Sequence, residues 1–221
     1  MSRFIRIGSS LAFFACVDYP LIISKRAVME FPIVISFYTK NSLYENEVKN
    51  LINSCERFGL EYSIEGVDSF GSWELNCAYK PFFILEKIKS LKKPVLWVDA
   101  DGAFLQAPTH QEAFTADIAT RINGDCEEKH PSKVITSTVY VNNTLAGQDI
   151  LRSWALECRR QLSDPLRTEL FWDQIALRNV LFSSGHAATV QALPLSYARI
   201  FDHALDLLEE GLPVIEHYQA S

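Results

Sequence analysis

The sequence has no Cys-x-x-Cys pair. Its five cysteines, Cys16, Cys55, Cys77, Cys126 and Cys158, are odd in number and far apart, which argues against a zinc knuckle or a disulfide framework and fits a reducing cytoplasm. Cationic residues are also short, with 21 Lys and Arg against 27 Asp and Glu for a net charge of −6. A face that displaces counterions from a polyanion needs clustered cations, so nucleic acid is not an expected partner. The local set Lys87, Lys89, Lys92 and Lys93 reads as a solvated helix end. No repeat or low-complexity tract interrupts the 221 residues, and nothing resembles a linker between two units. An apolar run of the roughly 20 residues that span a bilayer is missing as well. The stretch from Ile7 to Val17, behind Arg3 and Arg6, has the outline of a signal peptide or weak anchor, but Asp18 and Pro20 cut it short. Residues 1–30 are therefore expected to pack on the domain, or to touch a membrane peripherally, and residues 31–221 to form the domain itself.

What is present is organised around one stretch, Pro94-Val-Leu-Trp-Val-Asp-Ala-Asp-Gly-Ala-Phe104. Residues of strong β preference run into two aspartates spaced i, i+2 and then a glycine, as a buried parallel strand does when it ends at a metal site. If the strand stays extended through Asp101, both carboxylates point to one face and meet one cation. Oxygen ligands of this kind suit Mg²⁺ or Mn²⁺, ions that usually work on phosphates.

The flanking sequence supplies a framework. Phe31 to Tyr38 reads as a first strand, and Ser42 with Glu45 as a capping box opening a helix that ends at Gly59. Leu60 to Val67 is a second strand. A helical stretch from Trp73 is expected to break or restart at Pro81, with a second helix to Leu91. The order β-α-β-α-β predicts a parallel α/β sheet, with ligands at the carboxyl ends of its strands. Strands near Asp117 to Arg121 and Lys133 to Val141 follow, joined by a polar loop read as a lid. Thr144 then caps one helix and Thr168 starts another. A strand at Thr189 to Leu193, a helix over Asp202 to Glu210 and a strand from Pro213 to Glu216 complete the pattern.

With these pieces in order, the chain from Phe31 onward resembles a compact glycosyltransferase of the GT-A fold, a nucleotide-diphospho-sugar transferase with an Asp-x-Asp motif. The resemblance rests on Tyr38-Thr39, Tyr79-Lys80-Pro81, Val98-Asp-Ala-Asp101, Thr138-Val-Tyr-Val-Asn-Asn-Thr144 and Phe171-Trp-Asp-Gln-Ile175. It implies a single-domain, Rossmann-like α/β fold with a mixed, mainly parallel sheet flanked by helices. It also implies transfer of a sugar, with retention, from a UDP- or GDP-sugar to a saccharide, lipid-linked or protein acceptor. On this resemblance Asp99, Asp101 and His217 hold Mn²⁺ or Mg²⁺, and Asp99 doubles as a ribose ligand. Lys80 brings positive charge near the phosphates or ribose, Tyr38 and Thr39 line the base and ribose pocket, and Asp173 with Gln174 serves the donor sugar and the acceptor hydroxyl. Should the reaction invert, Asp173 is the first candidate for general base.

Two alternatives start from the same residues. Val98 to Leu105 also resembles the motif of haloacid-dehalogenase-like phosphohydrolases, in which Asp99 would be the nucleophile. The third reading is a GT-A-fold binding module without activity.

Overall fold

The computed structural model describes residues 31–109, 114–167, 171–183 and 185–219, so the expectation for residues 1–30 lies outside them. The chain alternates as foreseen at its start: β1 (Ile33–Thr39), α1 (Tyr44–Phe58), β2 (Tyr62–Val67), α2 (Trp73–Leu91) and β3 (Val95–Val98). Then come β4 (Gly102–Phe104), β5 (Ile118–Ile122), β6 (Val134–Val141), α3 (Leu145–Ser163), α4 (Asp173–Leu181), β7 (Val190–Ala192), β8 (Arg199–Ile200) and β9 (Ile215–His217).

Six strands form the central sheet in the order β2-β1-β3-β6-β5-β7. All pairings are parallel except those of β6, which runs against both β3 and β5. The sheet is thus mixed and mainly parallel, as expected. Because side chains alternate along a strand, β1 sends Ile33, Ile35 and Phe37 to one face and Val34 to the other. The first face packs on α2, α3 and α4 through Ile84, Trp154 and Leu177. The second packs on Leu51 and Cys55 of α1 and on a small sheet ordered β4-β9-β8. Burial on both faces explains why β1 and β3 are nearly continuous apolar runs.

Several local expectations are corrected. Pro81 neither breaks nor restarts a helix, since α2 runs unbroken from Trp73 to Leu91 with the proline inside. An interior proline costs about 3 kcal/mol; burying Phe83, Ile84 and Ile88 beyond it offsets this at roughly 1.5–3 kcal/mol per side chain. The proline leaves the Cys77 carbonyl without its helical donor, at a residue that lines the main pocket. The true N-cap of α2 is Ser72, whose hydroxyl accepts from the Leu75 N–H. Ser42 does not cap α1: its hydroxyl donates to the Thr39 carbonyl, while Glu45 accepts from the Asn41 N–H. Gly59 and Thr144 act as expected, Gly59 at φ 64° and Thr144 accepting from the Gly147 N–H. Thr168 lies outside the described residues, and α4 begins at Asp173. Nor is there an α-helix over residues 202–210, where a single 3₁₀ turn, Asp206–Leu208, replaces it.

The lid loop is tied down. Lys133 Nζ donates to the carbonyls of Asn123 and Cys126, and Gln174 Nε2 to that of Pro131. Among the described residues no helix is long and apolar enough to cross a membrane.

Candidate functional site

A pocket of about 540 Å³ opens at the carboxyl ends of β1 and β3. Tyr38, Thr39, Lys80, Asp99, Asp101, Asp173, Gln174 and His217, the residues singled out from the sequence, all line it. The helix α2 contributes Trp73, Asn76, Cys77 and Lys80, whose i, i+3, i+4, i+7 spacing places them on one stripe. Tyr38 is held at the rim because its ring lies over Gly66 of the neighbouring strand, where an added Cβ would come within 2.9 Å of its Cζ.

Lys80 is the centre of the floor. Its side chain is only 7% exposed, and Nζ lies 2.9 Å from Asp99 Oδ1 and 3.0 Å from Asp173 Oδ2. It also donates to the Thr136 carbonyl at 3.3 Å. Burial opposes its charge, but the carboxylates of Asp173 and Asp99 overturn that and hold its pKa above the usual lysine value. The positive charge expected of Lys80 near the phosphates or ribose is engaged here by two carboxylates. The same contacts explain Asp173, which is not a helix cap. Thr136 Oγ1 donates to its Oδ2 at 2.8 Å, and Trp154 Nε1 donates to its carbonyl.

Asp99 accepts from Trp97 Nε1 at 2.7 Å. Burial in the pocket raises its pKa, and neighbouring Asp101 raises it further against the pull of Lys80. The two partners differ because Lys80 has two carboxylates to itself, whereas Asp99 shares one lysine and faces a like charge.

Asp99 and Asp101 do not share an extended strand, because β3 ends at Val98 and a turn follows, closed by the Gly102 N–H donating to the Asp99 carbonyl at 2.8 Å. The turn exists because β4 must double back to pair with β9, with Gly102 opposite His217. That pairing also explains the glycine: a Cβ there would lie 2.7 Å from Val98 Cγ1 and 3.0 Å from His217 Cε1 and Nδ1. The motif thus reserves room for an imidazole 115 positions later in the chain, a separation counted from the numbering of Gly102 and His217.

His217 is 2% exposed. Its Nε2 hydrogen-bonds with Thr138 Oγ1 at 2.8 Å, its Nδ1 has no hydrogen-bond partner among the described residues, and Nδ1 lies 3.7 Å from Asp101 Oδ1. Among the described residues, no three His, Cys, Asp or Glu side chains enclose an ion by themselves. The donors present nevertheless fit a Mg²⁺ or Mn²⁺ ion of the kind held by one or two protein ligands and completed by substrate phosphates and water. The orphaned, buried Nδ1 beside a carboxylate is the observation behind this fit.

Several pocket residues carried no functional expectation: Tyr44, Trp73, Arg121, Asn123, Trp172 and His203. Trp73 hydrogen-bonds to Tyr44, whose pKa is raised by burial and then by the carboxylates of Asp101 and Asp99. The helical spacing from Trp73 to Lys80 was the available signal for the α2 group. Nothing local marks Arg121 or His203.

No protein-family model matches the chain, and no curated protein matches it significantly. Solved structures do. One is a glycosyltransferase involved in the glycosylation of the major capsid of PBCV-1, at TM-score 0.60 and 12% identity, covering 86% of this chain and 94% of that one. A second is the glycosyltransferase GlyE of Streptococcus pneumoniae TIGR4, at TM-score 0.54 and 15% identity, covering 86% of this chain and 55% of that one. A third is the galactosyltransferase LgtC, solved with donor and acceptor sugar analogs, at TM-score 0.53 and 13% identity, covering 85% and 87%. At such identities the shared property is the fold, a GT-A-like glycosyltransferase fold.

Proposed function

We propose that the protein is a divalent-metal-dependent glycosyltransferase that moves a sugar, with retention, from a UDP- or GDP-sugar to an acceptor. The observation that carries this reading is the charge balance of the pocket. Asp99, Asp101 and Asp173 set three carboxylates against one lysine, and Arg121 is already paired with Asp206. A floor with that excess of negative charge repels a diphosphate until a cation is added. The corner formed by Asp101 and the free Nδ1 of His217 is where such an ion would be held, with Asp99 beside it. When bound, Mg²⁺ or Mn²⁺ neutralises the diphosphate and stabilises its charge as it leaves.

The protein's own residues then divide the work. Tyr38 and Thr39 receive the nucleoside at the end of β1. Lys80 keeps Asp99 and Asp173 at fixed positions in the floor. Asp173 orients sugar hydroxyls, so the acceptor is presented to the same face the leaving group quits and a leaving phosphate oxygen takes the acceptor proton. Gln174, bound to the Pro131 carbonyl, couples the floor to the polar loop.

The test is a thermal-shift panel of nucleotide sugars with and without Mn²⁺. At least one UDP- or GDP-sugar should stabilise the wild-type chain only when Mn²⁺ is present, and Asp101→Ala should remove that shift. A panel in which no nucleotide sugar binds defeats the proposal. Phosphate release from a generic phosphomonoester, abolished by Asp99→Asn, would install the phosphohydrolase reading in its place.

A steric prediction follows from Gly102. The Gly102→Ala chain should fold, at a cost of roughly 1–3 kcal/mol for overpacking, and should bind its donor about tenfold more weakly in Mn²⁺ because the methyl pushes the His217 ring off Asp101. Calorimetric titration at two Mn²⁺ concentrations checks this; unchanged Mn²⁺ dependence would detach His217 from the site.

A further inference from the structure

A buried guanidinium must find a counter-charge, and Arg121 at the end of β5 finds one 85 residues away. Its NH1 and NH2 donate to Asp206 Oδ2 and Oδ1 at 2.5 and 2.7 Å, and NH1 also donates to the Ala198 carbonyl. Asp206, fully buried, further accepts from the Ile200 N–H at 2.9 Å. On the same carboxylate, Oδ1 lies 2.9 Å from His203 Nδ1. That contact turns Nδ1 inward to the carboxylate and leaves Nε2 as the ring nitrogen available to a ligand. The imidazole is 44% exposed and lines the pocket. The site already described does not use it.

Its place in the pocket indicates what it meets. The pocket runs across neighbouring strands from Thr39 on β1, through Asp99 after β3 and Thr136 on β6, to Arg121 on β5. Three strand steps make this roughly 14 Å. With a nucleoside at Thr39 and a diphosphate at Asp101 and His217, the transferred sugar and the acceptor extend toward β5. At that end Asn123 and Ser132, joined to each other and to Arg121 by hydrogen bonds, line the pocket with His203, a set of polar groups that suits a hydroxylated ring.

We propose that His203, held by Asp206, is an acceptor-binding residue whose Nε2 hydrogen-bonds with a non-reacting hydroxyl of a saccharide acceptor. The inference rests on the glycosyl-transfer reading above. Its test uses the full chain with Mn²⁺ and whichever UDP- or GDP-sugar binds, and offers methyl glycosides and disaccharides as acceptors. His203→Ala should raise the acceptor KM about tenfold, the scale of one lost hydrogen bond in a desolvated site, with kcat moving much less. The donor Kd should stay within about twofold, and His203→Gln, which keeps a hydrogen-bonding group, should recover part of the loss. A tenfold weaker donor Kd in His203→Ala would place the imidazole on the diphosphate and overturn the proposal. So would an unmoved acceptor KM, or a wild-type chain that hydrolyses the donor yet glycosylates no saccharide. Absence of any Mn²⁺-dependent donor binding by the wild type is a separate result, which removes the glycosyl-transfer reading and this inference with it.

Discussion

Lys80→Met should be the most damaging single change in the pocket, lowering stability by about 3–5 kcal/mol, the scale of breaking a buried ion pair from one side. For a domain of this size that is roughly 6–20 °C in Tm. The methionine fills the stem's volume but leaves Asp99 and Asp173 without the cation that lies between them. Activity should fall at least a hundredfold, since both carboxylates lose the contact that fixes their positions.

The pH dependence separates this account from a plain packing defect. In the wild type, Lys80 has its pKa raised by folding, so its stabilisation is complete below the unfolded lysine value and is lost only as pH rises through the higher folded one. Asp99 has the opposite sign. Its pKa is also raised, so the folded state binds more protons than the unfolded one, and its contribution improves as pH falls from neutrality through that raised value. In Lys80→Met this behaviour of Asp99 strengthens, because the lysine that opposed it is gone. The gap in Tm between variant and wild type should narrow as pH is lowered from 8 to 5; a gap constant across that range would mean that the lysine acts by packing alone. By the same sign, Asp99→Asn should raise Tm at neutral pH while abolishing activity.

The residues behind these expectations were legible in the sequence to different degrees. The β-α-β-α-β opening and the position of Asp99 at the end of the third strand follow from local preference and period, which burial on both faces reinforces. Lys80 was legible as a pocket residue, but its burial between two carboxylates depends on Asp173, 93 positions later by the numbering, and no local pattern records that distance. Pro81 misleads for a related reason: its local cost is real, and tertiary packing of the following turns outweighs it. Gly102 looked like the end of a motif, whereas its purpose is clearance for His217 on a different strand.

The segment 202–210 misled most. Its leucines and acids suggest an amphipathic helix, but Asp206 is drawn inward by Arg121, and the chain makes one turn while Leu205, Leu207 and Leu208 stay exposed. A polar residue that looks like a helix's solvent face became its most buried group. Long-range ion pairing, invisible to periodicity, decided the local structure.

That pairing supports the second large prediction. Arg121→Met should cost about 3–5 kcal/mol, because it strands a fully buried Asp206 without its guanidinium. Replacing both partners, Arg121→Met with Asp206→Leu, should recover most of the loss, leaving roughly 1–2 kcal/mol for the Ile200 N–H and Ala198 carbonyl that lose their partners. Thermal denaturation of the two variants separates the cases: if the double variant is as unstable as the single one, the pair is not what anchors this segment. Function should not recover in parallel with stability. The segment follows directly on β8, where Ile200 stands opposite His217, and the Phe201 N–H donates to the His217 carbonyl. Releasing Asp206 therefore loosens the strand that sets His217 against Asp101. The refolded double variant should bind its donor several-fold more weakly in Mn²⁺ although neither altered residue is placed at the metal corner. Full donor affinity in a stable double variant would show that β4 alone, through Gly102, is enough to hold the imidazole in place.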